Sequence, residues 1–353
     1  MATSRLRVLW SRLGRRYQQL ILLLVVVTAA CVLSQAWWIS RVTSALLPPY
    51  PQGQDLRHYR RDRNLKRYLD NIQLLIEPSS SHHSCEGTEE VPLLVLVSSA
   101  PSNLDSRQAI RQTWARHVPT FFVMGLDGPD VDEKLVDIYI EAKQYGDMLV
   151  YDFADNYQNL TLKTALMLEW SSRRCPQAQA LFKTDDDVFV NPWMLGKVVK
   201  EHVNSQLIGY KINNSLVHRD EYTKWYLPRW LYPDEVIPEY LSGTGYIING
   251  EYIERILKAA YKVPLINLED VYLTHIVAKR SLHLTLSHDR RLSPYKPWIR
   301  SACSYWSLAT AHSLSPDEVI SAWSSILPLI KQFKNGDDVC NLFRFLSSYM
   351  FLY

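Results

Sequence analysis

Three consecutive carboxylates stand between two short apolar runs near the middle of the chain. Asp185, Asp186 and Asp187 follow the apolar residues 180–182 and precede the apolar residues 188–190. Because adjacent carboxylates repel one another and are costly to desolvate without a cation, their natural partner is a divalent metal. The outer two offer the hard oxygen ligands that suit Mg²⁺ or Mn²⁺, usually together with substrate phosphates. The pattern predicts a metal site with a diphosphate as companion ligand; a solvated acidic turn or a helix cap is the alternative.

Three other groups of residues have spacings that suit ligand binding. Arg107 and Arg111, four residues apart on a predicted helix, can fork onto phosphate oxygens, or they form a solvated basic face. Residues 242–248 form a glycine-flanked turn into a strand, where missing side chains let a ligand approach the backbone. Glu269 and Asp270 open a helix predicted over residues 271–279, where acidic side chains cap free amides. For Glu269 this capping role is the favoured interpretation.

The elements that must position these residues alternate between strand-like and helix-like segments from Val91 onward. Strands are predicted over residues 93–97, 120–124, 149–153 and 180–183, and helices over residues 105–116, 131–145 and 160–170. Such alternation predicts an α/β domain with a largely parallel sheet. The triple aspartate then lies at the carboxyl end of a strand, where open α/β sheets bind their ligands.

The start of the chain has the pattern of a membrane anchor. Residues 1–19 are basic and contain no acidic side chain, and residues 20–39 are almost continuously apolar and end in a tryptophan pair. This length can span a bilayer, and the positive charge predicts a cytosolic tail. Residues 40–84 are predicted to be a stem, and residues 85–353 a translocated, lumenal domain. A cleaved signal peptide is the alternative to the anchor.

Composition and cysteine content narrow the class of protein. The 353 residues are 47% hydrophobic and 21% charged, with a formal net charge of +3, which argues against a nucleic-acid surface. Four cysteines lie beyond the predicted anchor, namely Cys85, Cys175, Cys303 and Cys340. They are compatible with two disulfides in any of three connectivities, or with free buried thiols.

Six ordered motifs over residues 88–345 resemble those of the β-1,3-glycosyltransferases of the galactosyltransferase family. They are S-R-Q-A-I-R-Q-T-W at 106–114, N-Y-Q-N-L-T-L-K-T at 156–164, F-K-T-D-D-D-V-F-V-N at 182–191, K-W-Y at 224–226, S-G-T-G-Y at 242–246 and L-E-D-V-Y at 268–272. The resemblance implies a GT-A fold with a mostly parallel sheet flanked by helices, a nucleotide-sugar donor and inversion at the anomeric carbon. It is specific for the family and much less so for the donor sugar.

The resemblance also implies roles for the triple aspartate. Asp187 would bind a Mn²⁺ ion that bridges the diphosphate, and Asp185 would help to hold the ribose or the metal. Asp186 takes the variable middle position and is expected to be a spacer. His312 falls where relatives carry a histidine that completes the metal shell.

Further roles follow from the same resemblance. Asp270 is implied as the catalytic base, which takes the proton of the attacking acceptor hydroxyl. The remaining implied donor-site residues are Arg107, Arg111 and Lys163 for the nucleotide, and Gly243, Gly245 and Tyr246 for the sugar. Two cysteines of many relatives, one before S-G-T-G-Y and one after the E-D-V motif, are absent here. Their absence leaves Cys85 with Cys175 and Cys303 with Cys340 as the favoured pairs.

The function implied is a β-1,3-galactosyltransferase of the Golgi membrane. It would use UDP-galactose and a GlcNAc- or GalNAc-terminated glycan on a glycoprotein or glycolipid. The alternatives are transfer of GlcNAc or GalNAc, a non-catalytic lumenal binding protein or chaperone on the same fold, and a metal-dependent phosphotransferase. The last lacks support, because the chain has no phosphate-binding loop of the G-x-x-x-x-G-K type.

Overall fold

The computed structural model describes residues 19–20, 23–35, 61–78, 85, 91–126, 131–334 and 340. The chain divides into two units, Met1–Leu56 and Arg57–Tyr353. In the first unit, residues 23–35 are helical. Across the described ranges, no helix is both long and apolar enough to cross a membrane. The predicted cytosolic tail, and part of the predicted anchor over residues 20–39, lie outside the described residues.

An eight-stranded mixed sheet forms the centre of the second unit. Its order is β1-β4-β3-β2-β5-β8-β7-β9, and a separate two-stranded sheet joins β10 to β6. Strands β2 to β5 are mutually parallel, whereas β1, β7 and β8 run antiparallel to a neighbour. The strands are β1 Leu74–Ile76, β2 Leu94–Ser98, β3 Thr120–Gly125, β4 Met148–Tyr151, β5 Ala180–Asp185, β6 Phe189–Val190, β7 Leu207–Leu216, β8 Val236–Asn249, β9 Leu286–His288 and β10 Thr310–Ala311.

Helices cover both faces of this sheet. Two apolar clusters, one on each face, bury the β2 and β3 side chains alternately, so that Leu94 and Leu96 belong to one cluster and Val95 and Val97 to the other. The helices are α1 Leu65–Asn71, α2 Leu104–Gln112, α3 Val131–Tyr145, α4 Leu160–Arg174, α5 Pro192–Glu201, α6 Gly250–Ala260, the π-helix α7 Val271–Ser281, α8 Ala302–Ser307 and α9 Pro316–Lys334. Short 3₁₀ turns lie at Trp114–His117 and Tyr157–Asn159.

The predicted α/β order is confirmed from β2 to β5, and the sheet beyond β5 differs from a simple parallel continuation. Strand β8 pairs antiparallel with β5, with Lys183 opposite Tyr246 and Thr184 opposite Gly245. The turn predicted within residues 242–248 is absent, because these residues lie wholly inside strand β8, and the pairing places them beside the triple aspartate. The helix predicted at residues 271–279 is present, but it is wound as a π-helix.

Part of the predicted stem is folded onto the sheet. Within residues 40–84, Leu65–Asn71 forms helix α1, whose Leu65 is fully buried, and Leu74–Ile76 forms an edge strand paired with β4. The Arg63 guanidinium donates to the Leu265 carbonyl oxygen at 3.1 Å. The boundary expected at residue 85 therefore corresponds poorly to the folded unit, because Leu65 and Leu69 of the predicted stem are core residues.

Two disulfides link the described part of the second unit. Cys85 is bonded to Cys175 and Cys303 to Cys340, with S–S distances of 2.08 and 2.06 Å. These are the two pairs favoured by the resemblance. Cys31 is a free cysteine.

Candidate functional site

A cavity of about 410 Å³ opens at the carboxyl end of β5. Strand β5 ends at Asp185, strand β8 brings Gly243, and helix α7 begins directly after Asp270. The wall is a mixture of acidic, basic and aromatic side chains, among them Tyr157, Lys183, Asp185, Lys224, Trp225, Tyr240, Glu269, Asp270 and His312. Motifs that are far apart in sequence therefore meet at one end of the sheet, as expected for ligand binding in an α/β fold.

Lys183 connects three of these motifs. Its ammonium donates to the Gly243 carbonyl oxygen at 2.6 Å and to Asp185 Oδ1 at 2.8 Å, and lies 3.5 Å from Glu269 Oε2. Burial alone would lower the pKa of Lys183, but the neighbouring Asp185 and Glu269 carboxylates outweigh it and raise the pKa. Lys183 is therefore a permanently charged link between β5, β8 and the start of α7.

Asp270 is the acid that caps helix α7. Its Oδ1 accepts a hydrogen bond from the Val271 N–H at 2.8 Å, and its Oδ2 accepts one from the Gly243 N–H at 3.1 Å. Burial raises the pKa of Asp270, while these two backbone donors act in the opposite direction. The carboxylate is half-buried and lines the cavity. It is thus held in one orientation with access to a bound substrate.

Glu269 has a different environment from the one its position suggested. Its side chain is 5% exposed, and its Oε1 accepts a very short hydrogen bond from the Tyr246 hydroxyl. Burial is the main reason that its pKa rises to about 7, against the opposing effect of Lys183. The capping interpretation of Glu269 is corrected, because the carboxylate bonds to Tyr246 rather than to the helix amides. The two adjacent acids differ in role only because the folded chain places Tyr246 beside Glu269 and the free helix amides beside Asp270.

Asp186 is a structural residue and not a spacer. Its buried Oδ2 accepts hydrogen bonds from the Ser99 hydroxyl at 2.7 Å and from the Asn103 amide at 3.0 Å. Burial raises its pKa, against those two hydrogen bonds. The middle carboxylate thereby ties the end of β5 to the loop after β2.

Asp187 and His312 are brought together as expected for a pair of metal ligands. His312 Nε2 lies 3.2 Å from Asp187 Oδ2, and its Nδ1 lies 3.2 Å from the Pro294 carbonyl oxygen. Burial would lower the pKa of His312, but the Asp187 carboxylate outweighs it and raises the pKa. Asp185 turns toward Lys183 instead. Across the described part of the chain, no group of three or more His, Cys, Asp or Glu side chains is arranged to hold a metal.

Arg107 and Arg111 lie in a buried ion-pair network outside this cavity. Arg107 donates to both Glu141 oxygens at 2.8 and 2.7 Å, and Arg111 donates to Glu141 at 2.6 Å and to both Asp147 oxygens at 2.8 Å. The Arg111 guanidinium also lies 4.0 Å from the Tyr145 ring centroid. Arg107 lines a second cavity, of about 420 Å³, beside the loop after β2. The two arginines therefore share one partner instead of projecting freely.

Of the other predicted donor-site residues, one lines the cavity wall and the others are buried in the protein interior. Lys163 is 2% exposed and donates to the Ser99 carbonyl oxygen and to Asp155 Oδ1, each at 2.6 Å. Gly243 lines the cavity, whereas Gly245 packs against a buried ring and a Cβ there would lie 2.9 Å from Phe182. Tyr246 is fully buried beneath the wall. The sequence predicted that these residues lie near the donor site. It could not predict that only Gly243 among them lines the cavity.

An α/β sheet whose strand ends bring together a helix-capping aspartate, an Asp–His pair and aromatic side chains has the arrangement of an enzyme active site. Comparison with known proteins specifies the class of enzyme. A model of the family described as Galactosyltransferase matches residues 105–287. The chain is 34% identical over 267 residues to "Beta-1,3-galactosyltransferase 1" of Homo sapiens and of Mus musculus, which covers 72% of this chain and 78% of each relative.

A second relative, "Beta-1,3-galactosyltransferase 2" of Homo sapiens, is 31% identical over 245 residues, or 66% of this chain and 58% of that one. Among solved structures, the match to the "WbbM bifunctional glycosytransferase apo structure" covers 70% of this chain and 52% of that chain at 10% identity, with a TM-score of 0.37. The chain belongs to the galactosyltransferase family and is a hexosyltransferase.

Proposed function

We propose that the enzyme transfers galactose from UDP-galactose, with inversion, to the 3-hydroxyl of a glycan that ends in GlcNAc or GalNAc. The observation that carries the proposal is the position of Asp270, an oriented carboxylate on the wall of a cavity that also reaches His312 and Asp185. A base on one side and a leaving-group site on the other are what an inverting displacement requires. The names of the relatives support galactose as the sugar.

The residues around Asp187 fit a manganese ion. The Pro294 carbonyl can only accept a hydrogen bond, so it favours a proton on His312 Nδ1 and leaves Nε2 to face Asp187. One carboxylate and one imidazole suit Mn²⁺ when diphosphate oxygens and water complete the shell. When bound, Mn²⁺ would neutralise charge on the departing UDP. Asp185, held by Lys183, would support this region from the β5 side.

Asp270 would accept the proton of the attacking acceptor hydroxyl. As the acceptor 3-oxygen forms its bond to the anomeric carbon, the bond from that carbon to the UDP oxygen breaks, and the hydroxyl proton passes to Asp270. Two backbone donors fix the orientation of its carboxylate, so that little reorganisation is needed. The aromatic side chains Trp225 and Tyr240, on the same wall, suit the apolar faces of a sugar.

The nucleotide half of the donor is assigned to the second cavity. This cavity is lined by the loop after β2, including Ala100 and Pro101, and by Arg107 and Asp155. Asp186 ties the same loop to the triple aspartate, so a UDP-sugar could extend from one cavity to the other. Arg107, Arg111 and Lys163 would then shape this pocket through Glu141 and Asp155, because their charged groups are engaged with those carboxylates.

The location of the enzyme is proposed from the beginning of the sequence. The apolar residues 20–39, after a basic tail, support a type II anchor in the Golgi membrane, with the stem and catalytic domain, residues 40–353, in the lumen. The two disulfides support an oxidising compartment. Acceptors would then be glycans of glycoproteins or glycolipids that pass through that compartment.

A donor panel tests the proposed activity. The purified enzyme is incubated with UDP-galactose, UDP-GlcNAc or UDP-GalNAc and a GlcNAc-terminated or GalNAc-terminated acceptor, with Mn²⁺ or with a chelator. We expect transfer of galactose in a β-1,3 linkage, with Mn²⁺ only. Transfer of GlcNAc or GalNAc instead would show that the donor is not UDP-galactose. Binding of a UDP-sugar without any transfer would favour a non-catalytic lumenal binding protein.

A further inference from the structure

The chain has two Asn-x-Ser/Thr triplets within the described residues, and their asparagines differ in exposure to solvent. They begin at Asn159 and Asn213. An asparagine can carry an N-linked glycan in the folded protein only if its side-chain nitrogen and the attached sugar have room in solvent. The two asparagines can therefore be distinguished by their burial and their hydrogen bonds.

Asn159 lies inside the fold. It is 8% exposed, its side-chain amide donates to the Ala154 carbonyl oxygen at 2.7 Å, and its Oδ1 accepts from the Arg61 guanidinium at 2.5 Å. The hydroxyl of Thr161, the third residue of the triplet, donates to the Ile266 carbonyl oxygen at 2.8 Å and is buried. A glycan on Asn159 would have to displace residues that connect helix α4 to its surroundings.

Asn213 lies on the surface of strand β7. Its side chain is exposed, and its cross-strand partner on β8 is Glu239. Directly opposed residues share one face of a sheet, and successive residues alternate between faces. Asn213 is therefore placed on the face of Glu239, which pairs with Lys211 and Lys279. Asn213 itself does not line the catalytic cavity, whereas Ile212, Ser215 and Leu216 of the same strand do. A glycan on Asn213 would thus be attached outside the cavity wall.

Asn213 is also located on an open edge of the sheet. Strand β7 pairs with β9 only through Leu207–Gly209, and across the described residues no strand joins the outer side of residues 212–216. Leu216, at the end of the same segment, is 73% exposed. An exposed strand edge is a template for pairing with another chain unless a charge, a bulge or a covering group blocks it.

We propose that Asn213 carries an N-linked glycan that covers the open edge of β7, and that Asn159 remains unmodified. The inference rests on the proposed lumenal location. In this modification the Asn213 Nδ2 atom forms a bond to the anomeric carbon of a lipid-linked oligosaccharide, the bond from that carbon to the carrier diphosphate breaks, and the amide proton passes to a base of the transferring enzyme. The glycan would oppose edge-to-edge association of β7 with another chain.

Site-specific mass spectrometry tests the assignment. The full chain is expressed in cultured animal cells with a carboxyl-terminal Asn-Gly-Thr tag, and its peptides are treated with an amidase that releases N-glycans in ¹⁸O-labelled water. We expect labelled aspartate at position 213 and in the tag, and none at position 159. A labelled tag with an unlabelled position 213, or with a labelled position 159, would overturn the assignment alone. An unlabelled tag would contradict the lumenal location, and the glycan proposal with it.

The variant Asn213→Gln tests the role of the glycan. We expect unchanged transfer kinetics, together with a larger fraction of high-molecular-weight species in size-exclusion chromatography. Removal of the tag glycan alone, by deletion of the tag, is the matched control and should leave the chain monodisperse. An Asn213→Gln protein that stays as monodisperse as its parent would refute the role in edge protection, and reduced transfer would refute the placement away from the cavity.

Discussion

Replacement of Asp270 by asparagine separates the catalytic role of this side chain from its structural one. Asp270 accepts the Val271 N–H on one carboxylate oxygen and the Gly243 N–H on the other. Asparagine has one acceptor oxygen, so its amide group must face one of these two N–H donors. Loss of that hydrogen bond in a half-buried position is expected to cost about 1–3 kcal/mol of folding stability. The substitution is therefore isosteric but not structurally silent.

The expected loss of catalysis is larger than the loss of stability. Removal of a positioned general base lowers the rate by about 10²- to 10⁴-fold, equivalent to about 3–5 kcal/mol at the transition state. The assay follows galactose transfer to a GlcNAc-terminated acceptor, together with urea unfolding and calorimetric binding of UDP in the presence of Mn²⁺. We expect Asp270→Asn to bind UDP with nearly unchanged affinity, because the carboxylate faces the acceptor side of the reaction.

A matched control distinguishes a lost base from a generally weakened fold. Asp289 is 6% exposed, accepts the Arg291 backbone N–H at 2.9 Å, and lies outside the residues that line the catalytic cavity. Asp289→Asn makes the same chemical change in a buried network and should lose stability while transfer is retained. A near-normal rate for Asp270→Asn would remove it as the base. Equal losses of transfer in both variants would mean that stability, not proton transfer, explains the effect.

Three further predictions concern the surroundings of the site. The raised pKa of Glu269, about 7, means that the folded state binds more protons than the unfolded state above pH 4.5. Stability should therefore fall by roughly 3 kcal/mol as the pH rises from 4.5 to 7, and Glu269→Gln should flatten this dependence in urea unfolding. In Gly243→Ala the new Cβ would lie 3.2 Å from the Oδ2 atom of the proposed base, so we expect about a tenfold loss of kcat. The control Gly196→Ala meets no atom within 4 Å and should retain full activity. Removal of the Cys85–Cys175 bond, which spans 90 residues, should lower the unfolding free energy by about 4 kcal/mol, measured on the double serine variant.

The parallel half of the fold could be predicted from the sequence because its strands are short apolar runs with clear stops. The strand that ends at Asp185 needed only local information, namely a buried run followed by three acids. Strand β8 could not be predicted in the same way, because Val236–Asn249 contains polar residues and glycines and its partner β5 lies far away in sequence. Its antiparallel direction is a property of the chain path and not of the local pattern.

In the candidate site, too, local sequence patterns predicted the position of residues on their helices but not their partners from distant parts of the chain. The spacing of Arg107 and Arg111 correctly placed both on one helix, but it could not indicate their shared partner Glu141, thirty or more residues further on. Likewise, Glu269 and Asp270 are adjacent acids before a helix, and either could have been its cap. The buried Tyr246 hydroxyl decides between them by binding Glu269.

The charge arrangement around Lys183 links donor binding to a cation. This ammonium offsets the carboxylates of Asp185 and Glu269, and it cannot also serve Asp187, which faces His312 instead. A diphosphate that approaches Asp187 would meet like charge, and two unit charges at 4 Å interact by about 4 kcal/mol in surroundings with an effective dielectric constant near 20. The buried lysine thus preserves the shape of the cavity, and positive charge for a leaving group near Asp187 would have to come from other groups. The proposed Mn²⁺ would supply it, beside Lys224 and His312 of the cavity wall.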